Sequence, residues 1–167
     1  LVAAVLDLQK TAQTFDVSGS LRAGVDSVKL AFDAVTAGAP RQALVCAADM
    51  RLGRPNGSTE REFGDGAAAL LLGDSDPIAT IDGWYSINNE LYDVYRPIMD
   101  RYVQSWEDRF VRETGFTKIV PETVGEALKA FARKPQDFST VVLSAPNPSY
   151  LAGVLKKMGF DPRTQGA

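Results

Sequence analysis

Residues 42–48 read Gln-Ala-Leu-Val-Cys-Ala-Ala, and residues 64–72 read Gly-Asp-Gly-Ala-Ala-Ala-Leu-Leu-Leu. Both are short runs without polar alternation, the pattern of strands covered on both faces. Working upstream, Leu21 to Ala37 reads as a helix, with Gly38 placed to close it. Its polar residues Arg22, Asp26, Lys29 and Asp33 recur every three or four positions. They make one wet seam with opposite charges adjacent, and leave the rest of the helix apolar. Further upstream, Thr14 to Val17 reads as a short strand, Ser18-Gly19-Ser20 as a turn, and Val2 to Leu6 as the tail of a helix. Downstream of the first run, Asp49 to Glu62 is a polar loop, and Ile78 to Ile87 reads as a third strand. Leu91 to Phe116 differs in composition, mixing aromatic and charged residues in the manner of a helical or irregular insertion. Pro121 to Arg133 predicts an amphipathic helix, Thr140 to Leu143 a buried strand, Pro146-Asn147-Pro148 a turn, and Tyr150 to Met158 a helix stopped by Gly159. Strands alternating with helices make the fold class α/β.

At 167 residues, 45% of them hydrophobic and 23% charged, the chain has the makings of a packed core and not of a disordered segment. It contains no histidine, which excludes any mechanism in which this chain supplies an imidazole base or metal ligand. Its single cysteine forms no internal disulfide and no cysteine metal cluster, so no metal site is expected. A net charge of −3 gives no footprint for nucleic acid or an anionic membrane. No apolar run approaches the roughly 20 residues that span a bilayer, and the expected location is the cytoplasm. The sequence opens on Leu1-Val2-Ala3-Ala4, inside an apparent helix and without a basic leader, which suggests a piece of a longer protein.

Four segments in order carry a resemblance. Asp16-Val17 followed by Ser20-Leu21-Arg22-Ala23-Gly24 resembles the strand-to-helix junction of thiolase-superfamily condensing enzymes. Gln42 to Asp49, then Glu62 to Leu72 with its Gly-Asp-Gly-Ala turn, resembles their next two strands. Tyr102 to Phe110 is similar to the insertion of the hydroxymethylglutaryl-CoA synthase branch. Asp137-Phe138, Ser144-Ala145-Pro146-Asn147 and Lys157-Met158-Gly159-Phe160 are similar to the strand and helix that follow it. The resemblance implies a thiolase-like layered fold, α-β-α-β-α, incomplete in this chain. Residues 1–77 would be the second part of an N-terminal half. Residues 78–167 would be the first part of a C-terminal half, with the insertion at 91–116.

It also implies a chemistry. That family sets a nucleophilic cysteine at the N-terminus of the buried helix, where dipole and amides favour thiolate and oxyanion. The matching residue here is Leu21, which has no lone pair to attack a thioester. The position of the family's histidine is Ser144, and its glutamate would precede Leu1. Ser20, beside Leu21, reads as a nucleophile only if a base exists, and no histidine does; as a helix cap its hydroxyl serves the first amides. Gly64, Asp65 and Gly66 read as a turn that can also present amides to a ligand. Tyr102, Trp106, Arg109 and Phe110 read as packing of the insertion or as an acyl and pantetheine lining, and Asn147 joins them through the resemblance. Arg51 and Arg54 read as a solvated loop or as a grip on coenzyme A phosphates. Cys46, mid-strand, reads as a buried small hydrophobe.

Two functions follow from the resemblance. One is an acyltransferase homologue of the hydroxymethylglutaryl-CoA synthase type, with a coenzyme A thioester as substrate or ligand, no covalently bound cofactor, and degenerate cysteine chemistry. The other is a non-catalytic acyl-CoA-binding or scaffold subunit. Expected partners are acyl-CoA, a second copy joined through the Thr14–Val17 strand edge, and a zinc-ribbon/OB-fold module of the kind that accompanies this branch.

Overall fold

The computed structural model describes residues 2–145 and 148–166, arranged as two compact units. The first unit comprises Leu1–Met50 with Gly64–Ala79, and the second Arg51–Phe63 with Thr80–Ala167.

In the first unit, α1 (Val2–Val5) leads through irregular chain to α2 (Ala23–Thr36). Gly38, at φ +75°, takes the left-handed position that ends α2. The strands β1 (Gln42–Asp49) and β2 (Gly66–Gly73) pair antiparallel in a register that sets Leu44 opposite Leu71 and Asp49 opposite Gly66. Directly opposed residues share a face. Ala43, Val45 and Ala47 belong to the face that α2 covers; a Cβ on Gly24 would lie 3.6 Å from the Ala47 Cβ. Leu44 and Cys46 lie on the other face with Ala69 and Leu71, and nothing among the described residues covers it. Leu71 is 65% exposed and Cys46 is exposed.

Two expectations are therefore corrected here. Both strands were expected to be covered on both faces, and only Val45 of the sheet is buried. The cause is a missing layer: one helix can cover one face only. For the same reason α2 is less enclosed than its apolar sequence predicts, with Ala31 its one buried residue and Val25 and Leu30 exposed. A third correction concerns Thr14 to Val17, which forms no ladder; Phe15 is exposed, and no described strand lies beside it to pair with.

In the second unit, the loop expected over Asp49–Glu62 contains a short helix, α3 (Ser58–Glu62). A small hairpin, β3 (Val94–Tyr95) with β4 (Gln104–Ser105), is steadied by the Val103 N–H donating to the Leu52 carbonyl at 2.9 Å. Ile78 to Ile87 is not a strand. Its glycine explains its use: a Cβ on Gly83 would lie 2.6 Å from the Phe131 ring, so this backbone packs on an aromatic face. Thr140 to Leu143 is likewise no strand; a single parallel bridge joins Val141 to Gly166.

The insertion ends in a long helical segment. It begins as α4 (Asp108–Phe110), widens to a π-helix over Val111–Ile119, and continues as α5 (Val120–Ala130). The Val120 N–H reaches back five residues to the Gly115 carbonyl. Pro121 follows inside this continuous helical backbone, and having no N–H to give it leaves the ladder one donor short. The C-terminal helix α6 (Leu151–Lys157) follows a 3₁₀ turn at Pro148–Tyr150 and stops at Gly159, whose φ is +86°. Val154, Leu155, Met158 and Phe160 form the core of this unit, packed against Phe116, Val120, Val124, Val141 and Leu143.

Candidate functional site

The candidate residues fall into two groups, one in each unit. In the first, Ser20 and Leu21 occupy the turn that precedes α2. The Ser20 hydroxyl accepts the Arg22 N–H at 3.1 Å, and the Ser20 carbonyl accepts the Ala23 N–H at 3.1 Å. Ser20 is thus engaged in shaping the helix entry, the structural role its sequence position allows. Leu21 is 54% exposed and lies two residues before the first helical residue, Ala23. The helix was expected to begin at Leu21.

Gly24 packs on Ala47, so the first turn of α2 stands beside the Ala47–Asp49 end of β1. At that end a shallow, open depression of about 480 Å³ is lined by Ala48, Asp49, Met50, Asp65, Gly66 and Ala67. Two of the three predicted turn residues, Asp65 and Gly66, therefore line a concavity near the helix entry. Neither Gly64 nor Gly66 has a left-handed φ, and a Cβ on either would meet nothing within 4 Å. The backbone therefore does not demand glycine at these positions. What their bareness leaves open is close approach to the backbone from outside the turn.

In the second unit Tyr102 is half-buried, and its N–H donates to Asp100 Oδ1 at 3.1 Å. That bond, a second from Gln104 Nε2 at 2.5 Å, and the more distant Arg54 charge hold the Asp100 carboxyl below its usual pKa. Arg101 stacks over the Tyr102 ring at 5.8 Å. Glu107 caps the helical segment, accepting the N–H groups of Arg109 (3.0 Å) and Phe110 (2.9 Å). The exposed Arg109 guanidinium donates to Glu113 at 3.0 Å, and Phe110 tilts 45° against Trp106 at 6.2 Å. Ser144 is exposed in irregular chain. Asn147 lies outside the described residues.

The sequence reading missed one cluster. The Tyr150 hydroxyl donates to Asp108 Oδ2 at 2.7 Å, and the Arg112 guanidinium sits 5.6 Å above the Tyr150 ring. The bond to Asp108 raises the Tyr150 pKa, because the carboxylate favours the protonated phenol. Burial, and then the Asp108 charge, raises that of Asp93. The only local signal for this cluster was the four-residue spacing of Asp108 and Arg112, which puts them on one helical face. Tyr150 is 42 positions from Asp108, beyond what periodicity reaches.

No family profile matches the chain. It is 26% identical over 160 residues to a hydroxymethylglutaryl-CoA synthase of Methanocaldococcus jannaschii, which covers 96% of this chain and 46% of that protein. It is 24% identical over 162 residues to the corresponding synthase of Pyrococcus furiosus, again 96% and 46%. The chain thus spans about half the length of the curated relatives it matches. Among solved structures, an HMG-CoA synthase complexed with CoA matches with a TM-score of 0.79 at 19% identity, covering 94% of this chain and 40% of that one. A 3-oxoacyl-(acyl carrier protein) synthase III from Pseudomonas aeruginosa matches at 0.75 and 23%, covering 98% and 54%. The chain is thus similar along 96% of its length to a hydroxymethylglutaryl-CoA synthase, and its fold is that of part of these thiolase-fold neighbours.

Proposed function

We propose that this chain is part of an acyl-CoA-handling protein of the hydroxymethylglutaryl-CoA synthase type, an acyltransferase homologue whose cysteine chemistry is degenerate. The observation that supports this is the homology along 96% of the chain to a synthase of that name. On this reading a coenzyme A thioester is the substrate or ligand. Within the second unit, Arg51 and Arg54 grip its phosphates, and Tyr102, Arg109 and Phe110 line its acyl or pantetheine arm. In the first unit, the bare backbone of Gly64 to Gly66 is open to close approach by a ligand. Ser20, Leu21 and Ser144 occupy the family's catalytic positions without its thiol or imidazole. Without a histidine the chain has no side chain of near-neutral pKa to carry protons in the family's manner. The same reading places the protein in the cytoplasm as a homodimer, beside a zinc-ribbon/OB-fold module; among the described residues no helix is long and apolar enough to cross a membrane.

A second reading, an acyl-CoA-binding scaffold without catalysis, is favoured by Leu21 and Ser144. Incubation with radiolabelled acetyl-CoA, followed by acid precipitation, separates the two. Label retained in the precipitate supports catalysis through another nucleophile. Reversible binding in calorimetry without retained label supports the scaffold. Absence of both overturns the acyl-CoA assignment.

A further inference from the structure

The helical segment from Asp108 onward and the Tyr150–Met158 segment meet along a single seam. On the first, Asp108, Arg112, Phe116, Val120 and Val124 follow one another at steps of four. On the second, Tyr150, Val154 and Met158 do the same. Phe116, Val120 and Val124 pack on the core formed by Val154, Leu155 and Met158. Two polar contacts cross the seam. Tyr150 donates to Asp108, 42 residues away, and the Lys157 ammonium donates to the Thr117 carbonyl, 40 residues away. The nearly constant offset means the segments run parallel, with one register maintained along their length.

The apolar part of the seam supplies contact area, but apolar contact is non-directional and tolerates sliding. The Tyr150 end supplies direction. Asp108 and Arg112 stand one turn apart on the same face. The carboxylate accepts the hydroxyl's hydrogen bond and the guanidinium covers the ring face. A phenol held at both its oxygen and its face has one orientation. Arg109 and Phe110 flank this clamp on the first segment.

We infer that Tyr150 is a positioning residue. Its hydroxyl, latched to Asp108, fixes the start of the Tyr150–Met158 segment against the helix start that carries Arg109 and Phe110. This deepens the acyl-CoA reading above and rests on it for its ligand. The latch itself is a property of the chain and can be read without ligand.

The test uses the protein in its longest available form, with Tyr150→Phe and Asp108→Ala, and free coenzyme A as the probe. Tyr150→Phe keeps the ring on Arg112 and leaves the apolar seam intact. The melting temperature should therefore fall by only a few degrees. Hydrogen–deuterium exchange should quicken at residues 149–153 and stay unchanged in the remainder of the core, and the Kd for coenzyme A should rise about tenfold. Asp108→Ala should reproduce both effects. Unchanged exchange at 149–153 in both variants would overturn the latch, whatever the protein binds. Quickened exchange with an unchanged Kd would overturn the positioning role. If the unsubstituted protein binds no coenzyme A, the acyl-CoA reading and the positioning role it supplies fall together, and the exchange result alone then upholds or overturns the latch.

Discussion

At the scale of single residues, Leu21 and Cys46 set the chemistry that can be asked of this chain. Cys46 lies on the uncovered face of the β1–β2 sheet and is exposed. The 167-residue chain should accordingly take up one iodoacetamide under native conditions, read as a single adduct by intact-mass spectrometry. A Cys46→Ala chain carrying Leu21→Cys should also be alkylated, since the new thiol stands exposed at a helix entry where the dipole favours thiolate. Condensation should not follow from that change alone, because Ser144 carries no proton as an imidazole does. Asp100 gives a pH dependence of definite sign. Its folded-state pKa is lowered, so its contribution to the hairpin is complete above the ordinary value of 3.8 and is lost as pH falls below that through the folded value. An acid titration followed by NMR at the Tyr102 amide should place the midpoint below 3.8, and Gln104→Leu should move it upward.

Among elements, the parallel seam of the second unit is where substitutions should cost most. Leu155 is 4% exposed, and Leu155→Ala should lower stability by about 2–5 kcal/mol in urea unfolding, the transfer loss plus an unfilled cavity. Gly159 ends α6 at φ +86°, and a Cβ there would also lie 3.2 Å from the Pro135 ring. Gly159→Ala should cost about 1–2 kcal/mol through backbone strain alone. The end of this helix was legible in the sequence because a glycine after an apolar helical run has few other uses. The π-helical stretch was not: nothing in the local pattern of Val111–Ile119 distinguishes a five-residue return from a four-residue one. Lys157, arriving at the Thr117 carbonyl from another helix, is part of what that geometry accommodates.

For the molecule as a whole, the decisive feature is an apolar sheet face with nothing described upon it. Leu44 and Leu71 oppose each other there, 43% and 65% exposed. Paired strands with free edges and bare faces associate. Sedimentation of the 167-residue chain should show species larger than the monomer at high concentration. Leu71→Lys should shift the distribution toward monomer, and a monomeric unsubstituted chain would count against the idea. The curated relatives are about twice as long as this chain.

What the amino-acid sequence determined by itself was whatever rests on neighbours in the chain. The bounds of β1 and β2 follow from unbroken apolar runs, the stops at Gly38 and Gly159 from backbone freedom, and the absence of imidazole chemistry from a count. The order of the four segments was enough for the thiolase resemblance, because they preserve spacing as well as type. Tertiary structure alone decided the rest. Thr14–Val17, Ile78–Ile87 and Thr140–Leu143 have strand-like composition, but a strand exists only where a neighbouring strand accepts its amides in series; among the described residues the first two have no such neighbour, and the third has only the single bridge from Val141 to Gly166. Burial of β1 was misjudged for a kindred reason, since an apolar run states which surface would be hidden and not whether a layer is present to hide it. The Tyr150–Asp108 latch joins residues 42 apart. Only the packing of one helix along another, in a register set by side-chain shape, could bring that hydroxyl to that carboxylate.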